Sequence, residues 1–205
     1  DVYYYGDFDC QPNELKKLSP YCKKYFAKRH KKYDFGSWQE LIKIIGKDKI
    51  KETKYNGYVE NGDIPVYRFE MTTNENKNIG ISVSKKGGHV IFANYNKTVN
   101  AETISQEKAD EIAKNFLNAH GYTNMKETYY LKQNGIVTIN YAYTQNNANN
   151  EQVVIYPDLI KVKVALDDGS VLGIETSGYL NSHTTRNFAS NIITKEKAKE
   201  VLNKE

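Results

Sequence analysis

The chain of 205 residues carries four histidines and two cysteines, the side chains best suited to metal binding or nucleophilic chemistry. The histidines stand far apart, at His30, His89, His120 and His183. None of them belongs to a His-Glu-x-x-His motif, and no Gly-x-Ser-x-Gly turn is present to expose a nucleophilic serine. Asp167 and Asp168 precede Gly169, so turn formation explains this carboxylate pair better than acid catalysis does. The sequence therefore predicts a protein that is not an enzyme, without catalytic, cofactor-binding or metal-binding residues.

The two cysteines, Cys10 and Cys22, frame a segment of eleven residues. They could form a disulfide that closes a small loop, remain two unrelated thiols, or act as a pair of metal ligands. No second Cys/His pair completes a tetrahedral set, which disfavours the metal. A disulfide would imply an oxidising compartment outside the cytosol.

Basic and acidic residues are almost balanced, with 29 Lys and Arg against 25 Asp and Glu and a net charge of +4. These charges are spread along the chain, whereas nucleic-acid-binding proteins usually concentrate positive charge on one face, so we expect no nucleic-acid partner. The densest basic run spans Lys23–Lys32 and is interleaved with aromatic residues. This run is either the solvated face of a helix or a patch that contacts anionic membranes or polymers.

A ten-residue pattern occurs twice, at Ile104–Ala113 and at Ile193–Leu202. In both copies an apolar residue precedes a Ser or Thr that can cap a helix, and a Glu follows in the first turn, where the helix dipole favours negative charge. Repeated helix starts of this kind indicate a tandem array, and such arrays usually present binding surfaces. The second copy begins its helix after Thr194, so we expect a third module that is truncated soon after its start.

The first complete module is predicted to be one helix followed by four strands. Ser37 caps the helix, and its apolar face consists of Trp38, Leu41, Ile42 and Ile45. The strand-like segments are Ile50–Tyr58, Pro65–Thr72, Ile79–Ser84 and His89–Tyr95.

The second module repeats this order. Ser105 caps a helix with an apolar stripe between Ala109 and Leu117, and Gly121 ends it. Asn134-Gly135 predicts a hairpin turn. The strands are predicted at Lys126–Lys132, Ile136–Thr144, Val153–Tyr156, Leu159–Leu166 and Ser170–Tyr179. Apolar residues alternate with lysines in the fourth of these segments, so we expect one sheet face to be buried against the helix and the other to be wet.

These patterns divide the chain into four parts: an N-terminal segment with a basic helix (1–35), a first module (36–100), a second module (101–188) and the start of a truncated third (189–205). The predicted fold class is α+β. Each module is expected to be one helix packed on a curved antiparallel sheet of about four strands.

Two stretches of the second module resemble a known family. The run Tyr156–Gly173, which reads YPDLIKVKVALDDGSVLG, and its continuation Gly178–His183 with Arg186 are similar to the signature of YpeB-type spore germination proteins. In the preceding module, Val83–His89 is similar to the corresponding segment of the same family. The resemblance runs from about Ser37 to the end of the chain and identifies both modules as PepSY-like.

The resemblance implies a non-enzymatic protein of a spore-forming Firmicute. The resemblance implies that such proteins bind, localise, stabilise or restrain a partner hydrolase that degrades cortex peptidoglycan during germination. They lie outside the cytoplasm, on the outer face of the spore inner membrane or in the cortex, and reach the membrane only through an anchor that these residues do not contain. Two alternatives remain open: a peptidoglycan-binding anchor that uses Lys23–Lys32, and a general peptidase-inhibitor module.

Six residues within or next to the signature are the candidates for partner binding: Tyr156, Pro157, Asp158, Tyr179, His183 and Arg186. Pro157 cannot donate a backbone hydrogen bond, so it confines its strand position to an edge, a bulge or a bend. This position is either a packed corner of the sheet or an edge that accepts an extended partner segment. His183 and Arg186 serve either packing between modules or contact with a partner.

Overall fold

The computed structural model describes residues 50–60, 62–188 and 193–203, and they form eight strands and three helices. The strands are β1 (Ile50–Val59), β2 (Val66–Thr73), β3 (Asn78–Ser84), β4 (Val90–Tyr95), β5 (Met125–Gln133), β6 (Ile136–Asn146), β7 (Gln152–Ala165) and β8 (Val171–Glu175). The helices are α1 (Gln106–Ala119), α2 (Ser177–Ser182) and α3 (Lys195–Leu202). No helix in these ranges is long and apolar enough to cross a membrane.

All eight strands belong to one antiparallel sheet with the order β1-β2-β3-β4-β8-β7-β6-β5. Each set of four consecutive strands is a meander, and the two meanders meet where their last strands pair. At this junction Phe92 pairs with Glu175, Ala93 with Ile174, and Asn94 with Gly173. The predicted α+β class is confirmed, and the sheet continues across both modules instead of ending at each one. The domain limits drawn from the sequence stay a prediction.

Helix α1 forms where the sequence predicts it. Ser105 caps it by accepting a hydrogen bond from the Lys108 backbone amide at 3.2 Å, and the chain leaves the helix at Gly121, whose φ is 82°. Its buried side chains, Ala109, Ala113 and Leu117, pack into the same apolar cluster as the inward residues of both meanders. The corresponding helix predicted after Ser37 lies outside the described residues.

The sheet has an inner face, which carries this cluster and α1, and an outer face on the other side. Inward residues of β7 are Ile160, Val162 and Val164, all fully buried, while the alternate lysines Lys161 and Lys163 point to the outer face. The predicted alternation of buried and wet faces is thus confirmed. Side chains from both meanders share one core, so the two modules are packed together as well as hydrogen-bonded.

The predicted strand Ser170–Tyr179 is wrong at its C-terminal end, because β8 stops at Glu175 and Tyr179 lies in α2. Thr176 causes the change of direction. Its side chain is fully buried, its Oγ1 donates to the Val90 carbonyl at 2.6 Å, and its amide donates to the Ile91 carbonyl at 2.9 Å. Thr176 therefore fastens the end of the second module to β4 of the first.

Helix α3 repeats the start of α1 in structure as well as in sequence. Thr194 accepts a hydrogen bond from the Lys197 amide at 3.2 Å, as Ser105 does from Lys108. Val201 and Leu202 remain exposed on α3, in contrast to the buried stripe of α1. The truncated third module itself stays a prediction.

Candidate functional site

The candidate site is built around a bulge in β7. Leu159 pairs with Ala142 of β6, and the next pair along the strand is Ile155 with Tyr143, so residues 156–158 have no partners in β6. Pro157 cannot donate to the ladder, and of the edge, bulge or bend that it allows, the structure shows a bulge. Within the bulge the side chain of Asp158 is fully buried, whereas that of Tyr156 is 64% exposed to solvent.

The buried carboxylate of Asp158 is held by two basic side chains that follow β8. Arg186 donates from both terminal nitrogens, Nη1 to Oδ2 and Nη2 to Oδ1, each at 2.7 Å. His183 Nδ1 lies 2.8 Å from Oδ2 and carries the proton in this contact, because an ionised carboxylate can only accept. Arg186 Nη2 also donates to the Ser182 carbonyl at 2.7 Å. The bidentate geometry is the one that gives an arginine–carboxylate pair its strength and its fixed orientation.

The charge of Asp158 is maintained in spite of its burial. Burial alone would raise the pKa of this carboxyl, but the hydrogen bonds from Arg186 and His183 outweigh it and hold the pKa below its usual range. The same contact raises the pKa of the Arg186 guanidinium. Asp158 and Arg186 therefore form a charged pair between β7 and the segment after α2.

Aromatic side chains pack around this pair. The ring of His183 stacks on that of Tyr179, with a centroid separation of 4.2 Å and an interplanar angle of 13°. Tyr143 of β6 meets His183 edge-on at 4.6 Å, and Tyr122 meets Tyr179 edge-on at 5.3 Å. We call Asp158, Tyr179, His183 and Arg186, together with Tyr143, the Asp158 cluster. It ties the end of the second module to its own sheet.

The structure separates the six candidate partner-binding residues into two groups. Asp158, Tyr179, His183 and Arg186 contact one another within the Asp158 cluster, whereas Tyr156 and Pro157 are exposed on the bulge above it. A partner could thus reach the tyrosine and the proline directly. The role of the six residues in partner binding stays a prediction.

The carboxylate pair, the cysteines and the basic run that the sequence singled out are not part of the Asp158 cluster. Asp167 and Asp168 form the β7–β8 turn, as predicted, and both bind the ammonium of Lys97, at 2.7 and 2.6 Å. Within the described ranges no three His, Cys, Asp or Glu side chains are grouped as a metal site requires. Cys10, Cys22 and the basic run Lys23–Lys32 lie outside the described residues.

Sequence reasoning missed the residues that join the two modules. Lys97 lies in the linker between β4 and α1 but binds the turn before β8, and Lys163 of β7 donates to Asn94 of β4 at 2.8 Å. The pairs are 70 and 69 residues apart in the chain, so no local pattern connects them. Gly173 is a glycine within a strand, which is typical of a close backbone approach, but Gly80 in β3 has the same pattern without such an approach.

The stability that Asp158 confers is expected to be lost in acid. The pKa of the Asp158 carboxyl is lower in the folded protein than in the unfolded chain, where it is about 4. The stabilisation is therefore fully present above the unfolded pKa and declines as the pH falls toward the folded pKa. Urea unfolding of wild type and of Asp158→Asn at a series of pH values measures this. The difference in unfolding free energy should shrink below about pH 4. A difference that stays constant from neutral pH to about pH 3 would contradict it.

The described residues define a class of fold: two four-strand meanders in tandem, the second preceded by helix α1, joined in one antiparallel sheet. A family model described as YpeB sporulation, PepSY1 and PepSY2 domains matches residues 37–189. The chain belongs to this YpeB family.

Relatives and a solved structure agree with this membership. The chain is 32% identical over 142 residues to the sporulation protein YpeB of Bacillus subtilis, covering 68% of this chain and 30% of that protein. It is also 32% identical over 123 residues to its counterpart in Halalkalibacterium halodurans, covering 60% of this chain and 26% of that one. The Bacillus megaterium YpeB C-terminal domain matches with a TM-score of 0.69 at 23% identity, covering 80% of this chain and 72% of that structure, and shows a shared fold. The matched region spans about a third or less of these curated relatives.

Proposed function

We propose that this chain is a non-enzymatic part of a spore germination protein whose PepSY modules bind, localise, stabilise or restrain a cortex-lytic peptidoglycan hydrolase. Membership of the YpeB sporulation family is the observation that carries the proposal. In this proposal the protein acts outside the cytoplasm, on the outer face of the spore inner membrane or in the cortex. An anchor elsewhere in the full-length protein would supply the attachment to the membrane.

The exposed bulge supports the proposal as a contact surface. Tyr156 offers a large side chain with little conformational entropy to lose, and Pro157 adds a rigid neighbour. Next to them the Asp158–Arg186 pair anchors the bulge, so the backbone that carries both exposed side chains is held in place. Preorganised aromatic anchors of this kind are typical of the residues that dominate binding energy at interfaces.

The proposed mechanism is stoichiometric. A protein that binds only the folded form of its partner stabilises that form by mass action, and the stabilisation grows with the logarithm of its concentration relative to the dissociation constant. Burying a surface of the hydrolase would protect it from proteolysis, and burying its active-site opening would restrain it. Neither effect requires a catalytic group in this chain.

The full-length protein, isolated from spore membranes, is expected to bring the hydrolase with it. Replacing Tyr156 by alanine should weaken this association by about 2 kcal/mol, the lower limit for an interface hot spot. Tyr130→Ala is the matched control, because Tyr130 is also exposed, at 42%, but lies on β5. Mass spectrometry of the co-purified proteins measures both variants. Equal recovery of the hydrolase with wild type and Tyr156→Ala would contradict the assigned surface, and its complete absence with wild type would contradict the function.

The purified chain is expected to release no muropeptides from isolated cortex peptidoglycan. The measurement is chromatography of the soluble products after prolonged incubation. Release that persists in protein purified by two independent routes would overturn the non-enzymatic assignment.

A further inference from the structure

A shallow trough crosses the outer face of the sheet at right angles to the strands. Its floor is a single row of register neighbours from β3 to β5: Gly80, Asn94, Gly173, Lys163, Thr138 and Leu131. Two of these six positions are glycines, and they stand on either side of Asn94, so the floor is low where the modules join. The trough encloses about 290 Å³ on the second-module side, where Asn96 and Gln133 add to its lining.

The cation at the centre of the trough is not neutralised by the described residues. Lys163 Nζ donates to Asn94 Oδ1 at 2.8 Å, and no described carboxylate forms an ion pair with it. Its neighbour on the same strand and face, Lys161, is paired with Glu175 at 3.1 Å. The Asn94 amide holds the Lys163 ammonium in place while leaving its charge available. A half-buried ammonium held in this way favours an anionic group above it.

The distribution of polar and apolar groups favours a hydroxyl-rich ligand over a protein. Protein interfaces are apolar at the centre and polar at the rim. Here the centre is polar, with the amide of Asn94, the ammonium of Lys163 and the hydroxyl of Thr138. The large apolar side chains stand at the margin: Leu131 ends the row, and Phe92 and Tyr129 lie in the neighbouring register row. Their exposed fractions are 40% for Phe92, 52% for Leu131 and 59% for Tyr129.

The length of the trough suits an extended chain. From Asn94 to Leu131 the row crosses four strand spacings, which amounts to about 19 Å. This length accommodates several sugar rings in line. Amide and hydroxyl groups along it can exchange hydrogen bonds with ring hydroxyls, and the exposed Tyr129 ring offers a flat apolar surface to a sugar face.

We propose that this trough binds an anionic glycan, a strand of sugars bearing carboxylate groups, with the ammonium of Lys163 on one carboxylate and Asn94 and Thr138 on neighbouring hydroxyls. The site lies across the β4–β8 junction, so both modules contribute to it. It is separate from the bulge proposed to contact a hydrolase, and either proposal can fail without the other.

The test is titration of the full 205-residue chain with a tetrasaccharide of alternating N-acetylglucosamine and N-acetylmuramic acid that carries free lactyl carboxylates. Nuclear magnetic resonance should show saturable shifts at Asn94, Thr138 and Lys163. Lys163→Gln should weaken binding by about tenfold or more, the effect of losing one hydrogen bond to a charged group. The uncharged chitotetraose should bind wild type with the reduced affinity of that variant.

Two further variants separate the site from general effects. Lys161→Gln removes the same charge from the same strand and face, and it should leave the affinity unchanged. Asn94→Asp keeps the side-chain size but gives Lys163 a carboxylate partner, so it should abolish the preference for the charged sugar in a fully folded protein. Absence of saturable shifts, equal losses for Lys161→Gln and Lys163→Gln, or tighter binding of pentaglutamate than of the tetrasaccharide would each overturn the proposal.

Discussion

Replacing Arg186 by methionine is expected to lower the free energy of unfolding by about 3–5 kcal/mol. The guanidinium makes two 2.7 Å hydrogen bonds to Asp158, whose side chain is fully buried. Removing Arg186 leaves the buried carboxylate of Asp158 with the hydrogen bond from His183 alone. Its charge then loses most of its compensation and cannot be solvated without opening the bulge. Urea-induced unfolding, followed by circular dichroism, measures the loss at neutral pH.

Two matched variants show whether the effect comes from the buried pair. Arg68→Met replaces an exposed arginine of β2 and should change the stability by less than about 0.5 kcal/mol. The double variant Asp158→Asn/Arg186→Met removes both charges and should recover most of the loss, because no buried ion remains unpaired. A loss below about 1 kcal/mol for Arg186→Met, or no recovery in the double variant, would contradict this account of the Asp158 cluster.

The parts of the fold that were predictable from the sequence are those with local causes. Helix α1 has its cap at Ser105 and its stop at Gly121 within one short segment, and both are present in the structure. The Asn134-Gly135 hairpin requires positive φ at two successive residues, and the φ values there are 51° and 70°. Pro157 likewise limits its position to an edge, a bulge or a bend through its missing donor alone, and the structure has a bulge there. Each of these features depends on interactions within a few residues.

The parts that sequence reasoning could not supply depend on distant contacts. Ala93 of β4 pairs with Ile174 of β8 at the junction of the two meanders. The alternation of apolar and polar residues in these strands would be the same if each meander ended there, so the sequence does not reveal the pairing. The burial of Asp158 is equally hidden, since its bidentate partner lies 28 residues away. An aspartate in a turn-like Tyr-Pro-Asp sequence reads as a surface residue until Arg186 is placed beside it. The sequence therefore singled out these residues as candidates, but it did not indicate which of them are buried and which are exposed.

Replacing Gly173 by alanine is expected to loosen the junction between the modules and to cost about 3 kcal/mol, the upper end of the range for overpacking. A Cβ at this position would lie 2.6 Å from the carbonyl oxygen of Ala93 in β4. That oxygen belongs to the backbone, so the clash can be relieved only by moving β4 away from β8. The junction consists of three residue pairs, and Gly173 belongs to one of them. Urea unfolding measures the cost.

Gly80→Ala is the control, because Gly80 lies in the same row of the same face but a Cβ added there would have no atom within 4 Å. It should change the stability by no more than about 0.5 kcal/mol. Hydrogen exchange then identifies what Gly173→Ala has opened: amides of β4 and β8 should lose protection while those of β6 keep it. Loss of protection spread evenly over all eight strands would show a weakened fold instead of a weakened junction.

The distinction matters for function, because Thr176, Lys97 and Lys163 connect the two modules independently of the strand pairing. If the contacts of Thr176 and Lys97 hold the modules together after β4 and β8 separate, the trough across the junction, with its Lys163–Asn94 contact, would be lost before the modules come apart.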